Sequence, residues 1–148
     1  MTGIDPLALA NQLCFAAYST SHAFSRRYKK LLADLGLTYP QYLCLLVLWE
    51  EDNLTVKDIG DRLSLDSGTL TPLLKRLEAM AILKRARDSK DERMVRISLK
   101  PKGIELRQKA LAIPPALQRA TRLSLPELLA LKDQLTRLRA SLLAEAEE

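Results

Sequence analysis

With 148 residues the chain is long enough for one domain with a substantial core, and its 47% hydrophobic but only 5% aromatic content predicts helices rich in Leu and Ala. Two cysteines are too few for a disulfide framework and one histidine gives no metal-ligand spacing, so we expect no structural metal or other cofactor. Because we find neither a membrane-spanning apolar run nor a signal-peptide pattern, we expect a cytoplasmic protein without membrane association. The net charge of +5 equals the surplus of 12 Lys/Arg over 7 Asp/Glu within residues 55–103, and such a localised basic patch favours phosphate binding.

The N-terminal third is predicted to contain two helices. Asp5 is a suitable N-cap with Pro6 at the first helical position, and no helix breaker follows until Gly36. We therefore expect one continuous helix of about 30 residues. A second, Leu-rich helix over 40–51 contains Trp49 and is expected to lie almost wholly in the core.

The middle of the chain carries the pattern of a DNA-reading unit. Thr55 and Asp58 form a capping-box-like start to a third helix. The predicted elements are, in order, this helix to residue 63, a fourth helix over 67–80, and two strands at 84–87 and 94–99 joined by the charged loop 88–93. Two short helices followed by a basic hairpin are typical of a winged helix-turn-helix.

The C-terminal region is predicted to be helical again. Pro101 starts a fifth helix, the pair Pro114 and Pro115 interrupts it, and Ser124 caps a final helix. That final helix carries Leu at positions 125, 128, 129, 131, 135, 138, 142 and 143. One compact monomer would struggle to cover so many apolar side chains.

The expected fold is mainly α with a small β-hairpin, in a single domain that spans 1–148. Residues 55–99 form its winged helix-turn-helix DNA-binding region. Regions 5–35 and 101–146 are expected to supply the dimerisation helices of a homodimer.

The fourth predicted helix has two chemically different faces at 100° per residue. Leu70, Leu73, Leu74, Leu77 and Met80 occupy one arc, and Ser67, Gly68, Thr71, Pro72, Lys75 and Arg76 lie opposite. We expect the apolar arc to pack and the polar arc to read double-stranded operator DNA through hydroxyls and cations. Either Asp66 or Ser67 is expected to cap the first turn.

The loop between the two strands places Lys90 and Arg93 at a hairpin tip, which suits insertion into a narrow minor groove. Arg93 is the preferred minor-groove residue. In the alternative, these cations are only solvated and are neutralised by Asp88, Asp91 and Glu92. The predicted DNA-binding residues are Asp66, Ser67, Gly68, Thr69, Thr71, Lys75, Arg76, Lys90 and Arg93.

Two segments of this unit carry a family resemblance. Residues 65–74, LDSGTLTPLL, followed by the hairpin triplet 91–93, DER, resemble the MarR family of dimeric winged-helix repressors. Residues 11–15, NQLCF, and 37–43, LTYPQYL, are similar to the peroxide-sensing segments of that family's organic hydroperoxide resistance (OhrR) type. The resemblance covers essentially the whole chain. It implies a transcriptional repressor whose signal is an organic hydroperoxide.

The same resemblance implies that Cys14 is the oxidised cysteine and that Tyr28 and Tyr39 hydrogen-bond its thiolate. A phenol that donates to sulfur favours the thiolate, which attacks peroxide oxygen to give a sulfenic acid. Independently, Cys14 and Tyr28 share one stripe of the first predicted helix but are 14 residues, or about 21 Å, apart. A second chain would therefore have to supply the phenol, for example if two copies of the helix crossed antiparallel near Ser21. Taken without the resemblance, Cys14 fits an inert buried cysteine better.

Cys44 lies in an apolar run and is expected to be a small core residue. The family's second, resolving thiol lies near the break after the fifth helix, where residues 114–123 of this chain have no cysteine. The resemblance therefore implies the one-cysteine type, in which a low-molecular-weight thiol forms a mixed disulfide or oxidation goes further.

Three alternatives remain open at this point. A repressor of the same family could respond to a reversibly bound aromatic or lipophilic ligand. A thiol peroxidase would turn over peroxide, although the chain has no βαβ pattern of thioredoxin-like enzymes. A sequence-blind DNA-packaging protein would need a larger and less confined basic surplus.

Overall fold

The structure, a computed structural model, describes residues 3–146. Residues 1–2 and 147–148 of the predicted single domain therefore lie outside the described residues. The chain forms two compact units, Met1–Leu111 and Ala112–Glu148. The first unit contains α1 (Leu13–Leu31), α2 (Tyr39–Glu50), β1 (Leu54–Thr55), α3 (Val56–Leu63), α4 (Ser67–Ala79), β2 (Leu83–Arg87), β3 (Val95–Leu99) and α5 (Pro101–Ala110). The second contains α6 (Ile113–Thr121) and α7 (Leu125–Glu145).

The prediction of one continuous helix over 5–35 is wrong. A short 3-10 turn, Leu9–Asn11, precedes α1, and another, Ala33–Leu35, follows it. Gln12 has extended backbone angles, and its side-chain amide donates to the carbonyl oxygens of Pro6 and Ala8, at 2.6 and 3.1 Å. Such side-chain bonds to nearby carbonyls compete with helix formation, so α1 begins only at Leu13.

The winged helix-turn-helix has the order that the sequence predicts. Capping boxes begin α2 (Thr38 with Gln41) and α3 (Thr55 with Asp58). The fully buried aliphatic side chains of the first compact unit are Leu32, Leu45, Leu48, Ile59, Leu70, Leu74, Leu77, Ile82, Leu83 and Ile97. Burial of α2 is less complete than predicted, since Leu46 is 38% exposed and Trp49 is half-buried.

In the described residues, the sheet has three strands in the order β1-β3-β2, and both pairings are antiparallel. The predicted hairpin is confirmed, with Arg85 opposite Ile97. We call β2, β3 and their connecting loop, residues 83–99, the wing. The two-residue strand β1, which pairs Leu54 with Ile97, was not predicted. It is too short to show an alternating pattern.

The predicted interruption is confirmed: α5 ends at Ala110 and α6 begins at Ile113, with Pro114 and Pro115 in the first turn of α6. Proline is tolerated in a first helical turn, where its missing N–H has no intrahelical partner to lose. The predicted Ser124 cap of α7 is confirmed and forms a capping box with Glu127. Within residues 3–146, no helix has both the length and the apolar character needed to cross a membrane.

Candidate DNA-binding surface and thiol site

The N-terminus of α4 is fixed by Asp66, which is the N-cap in preference to Ser67. Its Oδ1 accepts from the backbone amide of Thr69 at 2.7 Å, and its Oδ2 accepts from the Thr69 hydroxyl at 3.2 Å. These hydrogen bonds hold the pKa of Asp66 below the ordinary carboxyl value. Asp66 and Thr69 therefore order the first turn, while Ser67 and Gly68 remain exposed at the end where backbone amides attract anions.

The two predicted faces of α4 are confirmed. Leu70, Leu74 and Leu77 are fully buried. On the opposite face, Ser67, Gly68, Pro72, Lys75 and Arg76 are exposed and Thr71 is half-buried. The helix thus packs on one side and presents hydroxyl and cationic groups on the other, as a helix entering a major groove must.

Arg93 extends from the tip of the wing, and its side chain is 90% exposed. Its Nε and Nη2 lie 3.1 and 3.2 Å from the two carboxylate oxygens of Asp91. An ion pair this exposed is weak, so a DNA groove can compete for the guanidinium. Lys90 is also exposed, and its backbone amide donates to Asp88 Oδ1 at 2.8 Å.

An ion pair between Asp88 and Arg96 holds the wing together, and the sequence analysis did not predict this pair. The Asp88 side chain is 9% exposed and its Oδ2 lies 2.6 Å from Arg96 Nη2. Arg96 Nη1 also donates to the carbonyl oxygen of Asn53 at 2.7 Å. The sequence analysis gave Asp88 only the alternative role of neutralising neighbouring cations. Asp88 and Arg96 meet only because of the register of the hairpin, and the sequence does not show that register directly.

The structure brings two of the three predicted thiol-site residues together. The Tyr28 ring, from α1, stacks on the Tyr39 ring at the start of α2, with centroids 4.3 Å apart. Burial, and then the nearby Tyr39 and Tyr42, raise the pKa of Tyr28, and burial also raises the pKa of Tyr39. Both phenols therefore remain protonated hydrogen-bond donors at neutral pH.

Cys14 is not brought to these phenols within one chain. It is exposed near the start of α1, four helical turns before Tyr28. Among the described residues, its thiol has no hydrogen bond to a tyrosine hydroxyl. Its sensing role therefore stays a prediction.

Cys44 is a core residue, as predicted. It is fully buried in α2, and burial raises the pKa of its thiol to about 11. A thiol in this state is a poor nucleophile at neutral pH.

A helix-turn-helix pair followed by an ordered, basic wing defines a winged-helix DNA-binding regulator. The sequence profile of the family described as transcriptional regulator SarA/Rot matches residues 26–110. The chain belongs to this family of transcriptional regulators. The comparisons also confirm the predicted resemblance to MarR-type regulators of the organic hydroperoxide resistance group.

Individual relatives agree with this assignment. The chain is 56% identical over 142 residues to the HTH-type transcriptional regulator TtmR of Methylorubrum extorquens, covering 96% of this chain and 73% of that protein. It is 53% identical over 110 residues to the organic hydroperoxide resistance transcriptional regulator of Bacillus subtilis, covering 74% of this chain and 75% of that protein. The structure of reduced AbfR bound to DNA matches with a TM-score of 0.74 and 41% identity, covering 91% of this chain and 94% of that chain. AbfR comes from Staphylococcus epidermidis. These relatives are named as regulators and not as enzymes.

Proposed function

We propose that this protein is a cytoplasmic, homodimeric repressor that binds operator DNA while Cys14 is reduced and releases it after an organic hydroperoxide oxidises Cys14. The name of the Bacillus subtilis relative supports this signal class. AbfR has been solved reduced and overoxidised, each with DNA, and in a disulfide form, which supports redox control in a similar fold.

The apolar surface of the two terminal regions supports a dimer. The exposed large hydrophobic side chains are Ile4, Leu7, Leu9, Leu13, Phe15, Tyr18 and Phe24 near α1, and Leu125, Leu129, Leu131, Leu135, Leu142 and Leu143 in α7. Every residue of α1 and α7 is exposed or half-buried in the single chain. Apolar surface on this scale marks an interface, and a second copy is its simplest occupant.

The observation that carries the proposal is that Cys14 lies far from the stacked phenols of Tyr28 and Tyr39 in its own chain. Tyr28 and Tyr39 are stacked and protonated, yet Cys14 lies about 21 Å from Tyr28 along the same helix. If two copies of α1 cross antiparallel near Ser21, residue 14 of one protomer faces residue 28 of the other. Each thiol site is then completed by the dimer, and its oxidation acts on the contact between the two protomers.

The chemistry is a two-electron oxidation. The Cys14 thiolate attacks the terminal peroxide oxygen, so an S–O bond forms and the O–O bond breaks, and the departing alkoxide takes a proton from water to become the alcohol. The products are a sulfenic acid and the alcohol. A low-molecular-weight thiol then displaces water from the sulfenic acid and gives a mixed disulfide, which a further thiol reduces to restore Cys14.

In the reduced dimer, the two α4 helices enter successive major grooves about 34 Å apart on a pseudo-palindromic operator. Ser67, Gly68, Thr71, Lys75 and Arg76 are the direct contacts, while Asp66 and Thr69 hold the first turn of α4 for them. Lys90 and Arg93 contact the backbone and the minor groove from the wing. A modest change in the distance between the two α4 helices is enough to prevent both from entering their major grooves at the same time.

The test uses a duplex that the reduced protein selects from a random-sequence pool. Cumene hydroperoxide with free cysteine should release wild-type protein in a gel-shift assay, while intact mass shows one adduct per chain. Cys14→Ser should bind the duplex and stay bound under the same treatment. Release of Cys14→Ser, or oxidation of Cys14 without release of the wild type, would overturn the proposal.

Two further measurements test this proposal against a ligand-controlled regulator and against a monomer. Release by an aromatic ligand with unchanged intact mass would assign the protein to ligand-controlled regulators. Sedimentation should show a dimer, and Leu135→Glu in α7 should weaken it. A wild-type monomer would contradict the shared thiol site.

A further inference from the structure

Four aromatic side chains form a continuous series of ring contacts that begins at the candidate thiol site. We call Tyr28, Tyr39, Tyr42 and Trp49 the aromatic ladder. The centroids of Tyr28 and Tyr42 lie 5.8 Å apart, and those of Tyr42 and Trp49 lie 6.3 Å apart with an edge-on geometry. Tyr42 and Trp49 are seven residues apart in α2, so they share one face of the helix.

Trp49 connects this ladder to the base of the wing. Its indole Nε1 donates to the carbonyl oxygen of Gly103 in α5 at 2.9 Å. Gly103 in turn lies directly against Ile82, the residue before β2, because a Cβ at position 103 would lie only 2.3 Å from the Ile82 carbonyl oxygen. The same carbonyl oxygen accepts from the Lys100 amide at 3.0 Å. A displacement of Trp49 would therefore move Gly103 against Ile82, the residue that leads into the wing.

The indole hydrogen bond is an addition to the ordinary bonds of α5. In an α-helix the carbonyl of residue 103 already accepts from the amide of residue 107. The bond therefore satisfies the indole N–H, which can only donate, and it ties α2 to α5. Replacing Trp49 by Phe removes this tie without leaving the Gly103 carbonyl unpaired.

We propose that Trp49 is the positioning residue through which a change at the Tyr28–Tyr39 pair reaches the wing. The inference rests on the proposed function, since it assumes that oxidation of Cys14 removes the thiolate that the phenols bind. Tyr42, only 3% exposed, is packed too tightly to turn independently of its neighbours. A shift of the phenol pair is therefore passed along the ladder to Trp49, and through Gly103 and Ile82 to the start of β2.

The test compares Trp49→Phe with Tyr42→Phe, which keeps all four rings and the indole. Both variants should be oxidised at Cys14 at the wild-type rate by intact mass, and both should bind the selected duplex within about threefold of wild type when reduced. Oxidation should still weaken DNA binding by Tyr42→Phe as it does for wild type. For Trp49→Phe, the oxidised-to-reduced Kd ratio should fall at least tenfold. A residue with a merely structural role would lower affinity in both states and leave this ratio unchanged.

Wild-type release with an unchanged ratio in Trp49→Phe would overturn the inference and leave the proposed function intact. Failure of the wild type to release would instead overturn the proposed function. Since Trp49 is the single tryptophan of the chain, its fluorescence gives a second test that needs no variant at this position. Peroxide should change the emission of wild type but not of Cys14→Ser, and an emission that stays constant in the oxidised wild type would also overturn the inference.

Discussion

The guanidinium of Arg96 binds the carboxylate of Asp88 inside the wing, with Nη2 2.6 Å from Oδ2. Arg96 continues to the Asn53 carbonyl oxygen, and Asp52 Oδ1 accepts from the Leu99 amide at 2.9 Å. Strand β3 is thus tied near both ends to the turn before β1. The position of the wing tip depends on these bonds as well as on the backbone hydrogen bonds between β2 and β3.

Asp88→Asn should weaken operator binding roughly three- to tenfold, because the amide nitrogen of Asn cannot accept from Arg96 and the wing loses a charge-assisted hydrogen bond. Fluorescence anisotropy with the selected duplex measures the change. Asp61→Asn, on the exposed surface of α3, is the matched control and should bind like wild type.

The pH dependence of stability should differ between wild type and Asp88→Asn. The Lys90 amide, followed by Arg96, holds the pKa of Asp88 below its ordinary value of about 4. A carboxyl with a lowered folded-state pKa stabilises the fold fully above its unfolded pKa and loses that contribution as the pH falls through the folded value. Urea titrations should give a constant difference in unfolding free energy above about pH 5 and a shrinking one below it. A difference independent of pH would show that the Asp88 charge does not stabilise the wing.

Arg93→Ala should reduce operator affinity by about tenfold or more, and should lower the salt slope of log Kd by about 1 for each wing that contacts DNA. The physical reason is loss of an exposed cation from the hairpin tip. A salt titration of binding measures both quantities, with the exposed Arg107→Ala in α5 as control. Equal slopes for Arg93→Ala and wild type would remove the wing tip from the DNA contacts.

Ala81→Gly should stabilise the protein by about 1 kcal/mol, because Ala81 follows α4 with a φ of +60°, where an L-residue with a Cβ is strained. Chemical denaturation measures the effect. Ala79→Gly, at the last residue of α4, has the opposite expectation and should cost up to about 1 kcal/mol. The same sign for both substitutions would contradict the explanation.

Local signals were sufficient to predict most elements of the fold. Caps such as Thr55, Asp66 and Ser124, and the apolar arc of α4, act within one or two helical turns. The errors arose where a competing contact decided the outcome. Gln12 breaks the first predicted helix through its own side chain, and β1 forms only because β3 is available as a partner.

Some features of the candidate site follow from local sequence, and others depend on tertiary assembly. The exposure of Lys75, Arg76 and Arg93 follows from periodicity and from hairpin chemistry, so the sequence could predict it. The Asp88–Arg96 pair and the Trp49–Gly103 bond join residues that meet only when the sheet and α5 are assembled. The meeting of Tyr28 with Tyr39 was suggested by resemblance, since the angle between α1 and α2 has no local signal.

The two cysteines should respond differently to peroxide. Burial raises the pKa of the Cys44 thiol to about 11, so the thiol stays protonated at neutral pH, and no peroxide can reach it without local unfolding. After treatment with cumene hydroperoxide and cysteine, peptide mapping should place the adduct on Cys14 and find Cys44 as a free thiol. Cys44→Ala should leave the oxidation stoichiometry unchanged and cost about 1 kcal/mol of stability through the small cavity it creates. An adduct on Cys44 in the folded protein would contradict the assignment of a single sensing thiol, whereas labelling of both thiols in urea would confirm that burial alone protects the second.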